Sequence, residues 1–121
     1  MIIVDSCGWI EYLADGPKAS AYEKYLTRTH EIITPTIVIY EVYKKIKQTK
    51  KEEDALIVYG QIVKTRIVDI TRELAVKAAE LSLAYSLPMA DAIVYATAKQ
   101  ERCKVVTSDP HFKELPGVIL L

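Results

Sequence analysis

Short apolar runs alternate with longer amphipathic segments along the whole chain, and this alternation limits the fold more than any other feature of the sequence. Ile2-Ile3-Val4 is a continuous apolar run, which is typical of a strand that is buried on both faces of a sheet. Further short strands are predicted at 31–33, 66–68, 103–106 and 118–120. Because helical segments separate these strands, the sequence predicts a three-layer α/β/α fold with a mostly parallel central sheet.

The predicted helices have recognisable starts and ends. Ser6 can cap a first helix, which ends before Gly16-Pro17, and Thr34 can cap a later helix that has Pro35 at its first position. The β-branched residues of 37–39 favour a strand locally, but the continuation through 44–48 gives this segment the length of a helix, so we predict a helix here. The remaining helices are predicted at 18–27, 52–63, 74–85 and 88–97.

The composition limits the class of protein. The chain has 121 residues, no internal repeat and no linker, so we predict a single domain over 1–121. Lys+Arg and Asp+Glu both total 16, and this balance excludes a uniformly basic nucleic-acid-binding surface. We find no apolar run near the roughly 20 residues of a membrane span, and the first residues do not resemble a signal peptide. With two cysteines, Cys7 and Cys103, expected to be buried free thiols, we predict a cytoplasmic protein.

Four acidic residues stand in apolar surroundings, where a carboxylate costs several kcal/mol unless a positive group compensates it. Asp5 follows the first apolar run, and Asp109 follows Val-Val-Thr-Ser. Glu41 lies between Ile-Val-Ile-Tyr and Val-Tyr, and Asp91 lies between Met-Ala and Ala-Ile-Val. The sequence offers no obvious cationic partner for all four. These four acids therefore need an explanation that the acids in polar helical segments do not.

Each of the four acids has a structural explanation by itself. Asp5 could cap a helix, Glu41 could pair with Lys45 one turn later, Asp91 could interact with a helix dipole, and Asp109 precedes a proline and could belong to a turn. The four explanations together are less satisfactory, because Asp5 and Asp109 both follow apolar strands. Ligands bind at the carboxyl ends of the strands in parallel sheets, and this edge is where both acids are expected.

A divalent-metal site is the alternative that accounts for all four acids. Mg²⁺ and Mn²⁺ prefer oxygen ligands, usually a few carboxylates together with water molecules. A divalent ion lowers the pKa of a water molecule that it binds and neutralises charge on a phosphate, so such a site suits phosphodiester hydrolysis. The hydroxyl groups of Ser6, Thr107 and Ser108 flank two of the acids and could hold the water molecules around the ion.

The segments around the four acids resemble the four signatures of the PIN domain, in the same order and over the whole chain. The matching segments are Ile-Val-Asp5-Ser6, Ile-Val-Ile-Tyr-Glu41, Leu-Pro-Met-Ala-Asp91-Ala-Ile-Val-Tyr-Ala and Val-Val-Thr107-Ser108-Asp109-Pro-His-Phe. The length of the chain is similar to that of the VapC-type ribonuclease toxins of toxin–antitoxin pairs. Cys7 departs from the resemblance, since a small hydroxylated or apolar residue is more familiar at that position.

The resemblance implies a PIN-like fold and a metal-dependent endoribonuclease. It implies that Asp5, Glu41, Asp91 and Asp109 gather around Mg²⁺ or Mn²⁺, and that Thr107 supplies the hydroxyl group two residues before the last acid. It also implies a homodimer that a cognate VapB-like antitoxin holds inactive.

The densest basic stretch of the sequence, 44–51, has two explanations. Lys44, Lys45 and Lys47 could form a contact surface for the RNA backbone, or they could be the solvated end of a helix, where cations are stabilising. The two histidines, His30 and His111, lie far apart in the sequence. We expect His111 to be a surface residue in the turn after the last acid rather than a metal ligand.

Two other functions stay open from the sequence. A PIN-like protein could bind RNA or a partner without cutting RNA. A phospho-receiver domain has a similar length and an aspartate at a strand end. It also requires an acidic pair after the first strand, a phosphorylatable aspartate after a central strand and a late lysine, which we do not find here.

Overall fold

A computed structural model, which describes all residues 1–121, places five strands in one sheet. The strands are β1 (Ile2–Val4), β2 (Ile32–Pro35), β3 (Arg66–Val68), β4 (Lys104–Thr107) and β5 (Val118–Leu120). Their order is β3-β2-β1-β4-β5, and every neighbouring pair is parallel. The predicted parallel sheet is therefore confirmed.

Six helices flank the sheet and complete the predicted α/β/α architecture. They are α1 (Ser6–Leu13), α2 (Ala19–Leu26), α3 (Thr36–Thr49), α4 (Glu52–Ile62), α5 (Arg72–Tyr85) and α6 (Met89–Glu101). Two short 3₁₀ turns, Thr29–Glu31 and Pro110–Phe112, precede β2 and follow β4 respectively. Among these helices we find none that combines the length and the apolar character needed to cross a bilayer.

The core is built from the apolar runs that the sequence analysis identified as strands, from one face of the other helices, and from α6, in which every residue from 91 to 98 is buried. Ile3, Val4, Val105 and Val106 are completely buried at the centre of the sheet. The segment at 37–39 is helical, as predicted from its length. In α3, Val38, Val42 and Ile46 recur at the four-residue spacing of a helical face and are all buried, so tertiary packing prevails over local β propensity.

The predicted start of α3, with Thr34 as the cap and Pro35 as the first helical residue, is one residue too early, since Pro35 is the N-cap and Thr36 the first helical residue. Thr34 and Pro35 belong to β2, and Pro35 pairs with Val68 of β3. The buried Thr34 hydroxyl is 2.6 Å from the Thr65 hydroxyl, which itself donates to the carbonyl oxygen of Ile62. Thr34 is therefore the donor to Thr65, and α3 begins after Pro35 without a side-chain cap hydrogen bond.

The order of the strands indicates at which edge of the sheet a ligand would bind, and it bears on the phospho-receiver alternative. The chain proceeds outward from β1 through β2 to β3, and then returns to place β4 on the other side of β1. The strand order reverses between β1 and β4, and ligands of open parallel sheets bind at such a reversal, outside the carboxyl ends of the strands. Phospho-receiver domains have the flavodoxin-like order 2-1-3-4-5, so the receiver alternative is not supported.

Candidate functional site

Asp5 lies at the carboxyl end of β1, at the reversal of strand order. It is the N-cap of α1, where its Oδ1 accepts a hydrogen bond of 2.8 Å from the Ser6 amide, so the predicted capping by Ser6 is wrong. The residue is only 2% exposed. Burial raises the pKa of the Asp5 carboxyl, and the hydrogen bonds from Thr107 and Ser6 oppose this rise. Capping therefore accounts for one carboxylate oxygen of Asp5, and the other has a different partner.

That second partner is Thr107, the last residue of β4. The register places Val4 opposite Val106, so Thr107 lies beside Asp5 at the edge of the sheet. The Thr107 hydroxyl donates to Asp5 Oδ2 over 2.8 Å and accepts from the Asp109 amide over 3.0 Å. One buried hydroxyl thus fixes Asp5 relative to the backbone of Asp109.

Asp91 and Asp109 lie close together across the same edge. Asp91 is in the first turn of α6, and Asp109 caps the 3₁₀ turn that follows β4. His111 lies between them, with its Nδ1 3.1 Å from Asp91 Oδ2 and 2.9 Å from Asp109 Oδ1. Asp91, Asp109 and His111 offer ligand atoms that all lie within 4.8 Å of one another. His111 is in the predicted turn and largely exposed, but it contacts both acids, which the sequence analysis did not anticipate.

Glu41, on the second turn of α3, lies near Ser6, Asp5 and Asp109. Burial raises the pKa of the Glu41 carboxyl, the Ser6 side chain opposes the rise, and the charges of Asp5 and Asp109 add to it. Glu41 forms no ion pair with Lys45, so the pairing that would have explained it as a helix-surface residue is absent. The structure therefore brings all four predicted acids to one edge of the sheet.

The four carboxylates repel one another. Burial, followed by the charges of Asp109 and Asp5, raises the pKa of Asp91 to about 7, and His111 opposes this rise. The charge of Asp109 also raises the pKa of Asp5. No lysine or arginine lies within 4.0 Å of any of the four acids. Four oxygen donors with no lysine or arginine beside them match the ligand preference of a hard divalent ion, so the residues present fit such an ion.

A second layer of polar side chains lies behind Asp5 and Thr107. Cys7 Sγ is 3.3 Å from the Thr107 hydroxyl and 3.7 Å from Asp5 Oδ2. The hydroxyl of Tyr22, a completely buried residue of α2, is 2.8 Å from the Ser108 hydroxyl. The hydroxyls of Thr107 and Ser108 are thus hydrogen bonded to protein groups, which supports a role in orienting the acids.

Cys7 and Tyr22 are site neighbours that the sequence analysis did not select. Cys7 was expected to be a buried apolar thiol, but it is only partly buried and contacts four polar side chains of this region. Tyr22 carries no sequence signal, since it lies 86 residues from Ser108. Only its position on α2, which packs against α1, brings its hydroxyl to this edge.

The three predicted RNA-contacting lysines lie farther along α3 and are all exposed. The Lys44 ammonium group donates to the Tyr40 hydroxyl over 3.3 Å, and that of Lys47 is 3.7 Å from Glu52 Oε1. Because a helix rises about 1.5 Å per residue, the backbone positions of these lysines are about 5 to 9 Å from that of Glu41 along the helix axis. They form a basic surface next to the acidic cluster of Asp5, Glu41, Asp91 and Asp109, and they are not part of that cluster.

Comparisons with known proteins agree with this geometry. The family model described as "PIN domain" matches residues 2–118. Comparison with curated protein sequences found no match. Among solved structures, a toxin–antitoxin complex from Klebsiella pneumoniae is similar, with a TM-score of 0.83 and 22% sequence identity, over 98% of this chain and 96% of that chain.

Two further solved structures are similar in fold. DNA-bound VapBC from Salmonella typhimurium gives a TM-score of 0.78 at 17% identity, over 99% of this chain and 96% of that chain. VapC20 from Mycobacterium tuberculosis, described as a Sarcin-Ricin loop cleaving toxin, gives 0.75 at 14% identity, over 87% of both chains. The structural matches extend over most or all of the chain, and the family model covers nearly its whole length. This chain belongs to the PIN domain family.

Proposed function

We propose that this protein is a Mg²⁺- or Mn²⁺-dependent endoribonuclease that acts as the toxin of a toxin–antitoxin pair. The observation that carries the proposal is the group of four carboxylates, Asp5, Glu41, Asp91 and Asp109, which lies at the reversal of strand order without a lysine or arginine partner. Such a group is unfavourable by itself and favourable when it holds a divalent cation.

Each of the four acids has a role in this proposal. Asp5, Glu41, Asp91 and Asp109 would hold one or two ions, and Thr107 holds the Asp5 carboxylate in place by its 2.8 Å hydrogen bond. A bound divalent ion supplies a water molecule of lowered pKa and neutralises charge on the phosphate. The burial of these acids, nearly complete at Asp5 and Asp91 and partial at Glu41 and Asp109, strengthens their interaction with a cation, because the local dielectric constant is lower than that of water.

RNA is the proposed substrate, and the basic surface of α3 is its proposed contact. Lys44, Lys45 and Lys47 are exposed on the helix that also carries Glu41, so a phosphate backbone lying along α3 would lead into the acidic cluster. The zero net charge of the chain makes this local surface more distinct than it would be on a uniformly basic protein.

The proposed partners are a VapB-like antitoxin and a second copy of this chain, in the cytoplasm. Three of the similar structures are described as toxin–antitoxin or VapBC complexes, which supports an antitoxin as partner. The outer face of α4 and the residue after it expose the large apolar side chains of Leu56, Ile57, Tyr59 and Val63. Exposed apolar surface of this kind favours protein–protein contact.

Cleavage of a 5′-labelled structured RNA tests the activity. We expect cutting with Mg²⁺ or Mn²⁺ and none with a chelator, and we expect Asp91→Asn to lower the rate more than about 100-fold, since residues around metal ligands alone contribute about 10- to 100-fold. Asp69→Asn makes the same chemical change at an exposed position and should leave the rate unchanged.

Three results would contradict the proposal. Cutting in the presence of chelator, or full activity of Asp91→Asn, would remove the metal mechanism. RNA that is bound but never cut, by protein that binds Mn²⁺, would indicate the alternative function of a non-catalytic PIN-like binding module.

A further inference from the structure

We infer that His111 is a nitrogen ligand of the metal centre and makes it prefer transition-metal ions such as Mn²⁺ and Co²⁺ over Mg²⁺. This inference rests on the proposed function, because it assigns a further residue to the same centre. The acids account for the oxygen donors. His111 adds a donor of a different chemical kind.

The distances around His111 fit coordination of one ion. In an octahedral site with bonds of about 2.0–2.1 Å, two adjacent ligand atoms are about 2.9 Å apart. The Nδ1 atom is 3.1 Å from Asp91 Oδ2 and 2.9 Å from Asp109 Oδ1, so it stands at about the spacing of an adjacent ligand to both carboxylates. The three ligand atoms lie within 4.8 Å of one another, which one ion can span.

The 3₁₀ turn holds the imidazole in this position. The His111 amide donates to Asp109 Oδ1 over 2.9 Å, and Pro110 at the start of the turn restricts the backbone. The next residue, Phe112, is completely buried and packs edge-on against Tyr95 of α6, with ring centroids 6.3 Å apart. Because α6 also carries Asp91, the same packing fixes both His111 and one of its acidic neighbours.

Imidazole changes which ions the centre prefers. Mg²⁺ takes oxygen ligands and keeps several of its water molecules, whereas transition-metal ions bind imidazole nitrogen readily. Affinity for a site with nitrogen donors rises from Mn²⁺ to Co²⁺ in the Irving–Williams order. A centre of carboxylates alone discriminates less among these ions, so the histidine adds selectivity to an otherwise oxygen-based site.

Metal titration of wild-type protein, His111→Ala and His30→Ala tests the inference, with Co²⁺, Mn²⁺ and Mg²⁺ as separate probes at pH 8. His30 is the other histidine; it is exposed and lies before β2, at the opposite edge of the sheet. We expect His111→Ala to weaken Co²⁺ binding by at least about tenfold, Mn²⁺ binding by a smaller factor, and Mg²⁺ binding least. His30→Ala should bind all three ions as the wild type does.

Pulsed electron paramagnetic resonance of the Mn²⁺-loaded proteins gives a readout that does not depend on activity. With ¹⁵N-histidine labelling, the wild type and His30→Ala should show coupling of the ion to nitrogen, and His111→Ala should not. Mn²⁺ bound without this coupling overturns the inference about His111 and leaves the carboxylate centre intact.

Two other results also overturn it. Tighter binding of all three ions by His111→Ala would mean that the imidazole occupies the place of the cation. A wild-type protein that binds none of the ions would contradict the proposed metal centre itself, together with this inference.

Discussion

Removing one charge from the acidic cluster should stabilise the metal-free protein at neutral and alkaline pH. Asp91 is the best position for this test because burial and the charges of Asp109 and Asp5 raise its pKa to about 7 from an ordinary value of 3.8. The Asp91→Asn side chain keeps nearly the same shape and can never ionise. We therefore expect the variant to unfold less readily than the wild type wherever Asp91 is charged.

The size and sign of this effect follow from the pKa. Raising it from 3.8 to about 7 corresponds to about 4 kcal/mol of lost stability once the group is fully ionised, at about 1.36 kcal/mol per pKa unit. Asn loses the interaction of the Asp91 charge with the helix dipole, about 0.3–1 kcal/mol, and repulsion among the other three acids persists. Subtracting the second figure from the first leaves a net gain of about 3 kcal/mol at pH 8.

The pH dependence distinguishes this explanation from a general stabilisation. A carboxyl whose pKa is raised on folding favours the folded state below its unfolded pKa, near 4, and this contribution is lost as the pH rises through about 7. The gain from Asp91→Asn should therefore fall to about 0.5 kcal/mol or less at pH 4. The free energy of unfolding of the wild type should fall most steeply between about pH 4 and pH 7.

Urea unfolding in the presence of chelator, followed by circular dichroism at several pH values from 4 to 8.5, measures these free energies. Asp69→Asn is the control, since it removes an exposed carboxylate and should change the free energy of unfolding by no more than about 0.5 kcal/mol. A variant Asp91→Asn that is less stable than the wild type at pH 8 would refute the reasoning, because Asp91 would then be a structural residue rather than a repelled charge.

Two further predictions concern the packing and hydrogen bonding around Asp5. A β-carbon at Gly8 would lie 2.4 Å from a ring carbon of Tyr22, so Gly8→Ala should lower the free energy of unfolding by about 1–3 kcal/mol. Gly60→Ala is the control, because a β-carbon there would have no atom within 4 Å. This variant should raise the free energy of unfolding by about 0.5–1 kcal/mol in the same urea titration. Thr107→Val removes the hydrogen bond to Asp5, so the free energy of unfolding at pH 8 should fall by about 1–3 kcal/mol. Calorimetry should also show weaker Mn²⁺ binding by this variant. An unchanged Mn²⁺ affinity would argue against a role of Thr107 in orienting Asp5.

The strand ends explain how much of the site could be predicted from the sequence. Asp5 and Asp109 each follow an apolar run, and parallel strands place their carboxyl ends at the same edge, so the meeting of these two acids follows from the pattern. Glu41 and Asp91 lie on helices, and their apolar surroundings singled them out. Their positions relative to β1 and β4 depend on how the helices pack, which a single sequence does not determine.

The residues that the sequence analysis missed depend on contacts between distant segments. The Tyr22 hydroxyl reaches Ser108, and the Thr34 hydroxyl reaches Thr65 across 31 residues of sequence. The pattern Thr34-Pro35 is a valid local signal for a helix start, but pairing with β3 and the bond to Thr65 stabilise an extended backbone instead. Local signals fail where a long-range partner satisfies the same group.

The instability of the acidic cluster and its proposed function have a common cause. Repulsion among Asp5, Glu41, Asp91 and Asp109 makes the metal-free folded state less stable, and relief of this repulsion contributes to the free energy of binding a divalent cation. An ion that binds only the folded state raises its stability by RT ln(1 + [ion]/Kd), so the ion should stabilise the wild type more than a variant with one charge fewer. The fold tolerates the cluster because Thr107 and the Ser6 amide satisfy the most buried of these carboxylates, Asp5, while Glu41 and Asp109 are only partly buried.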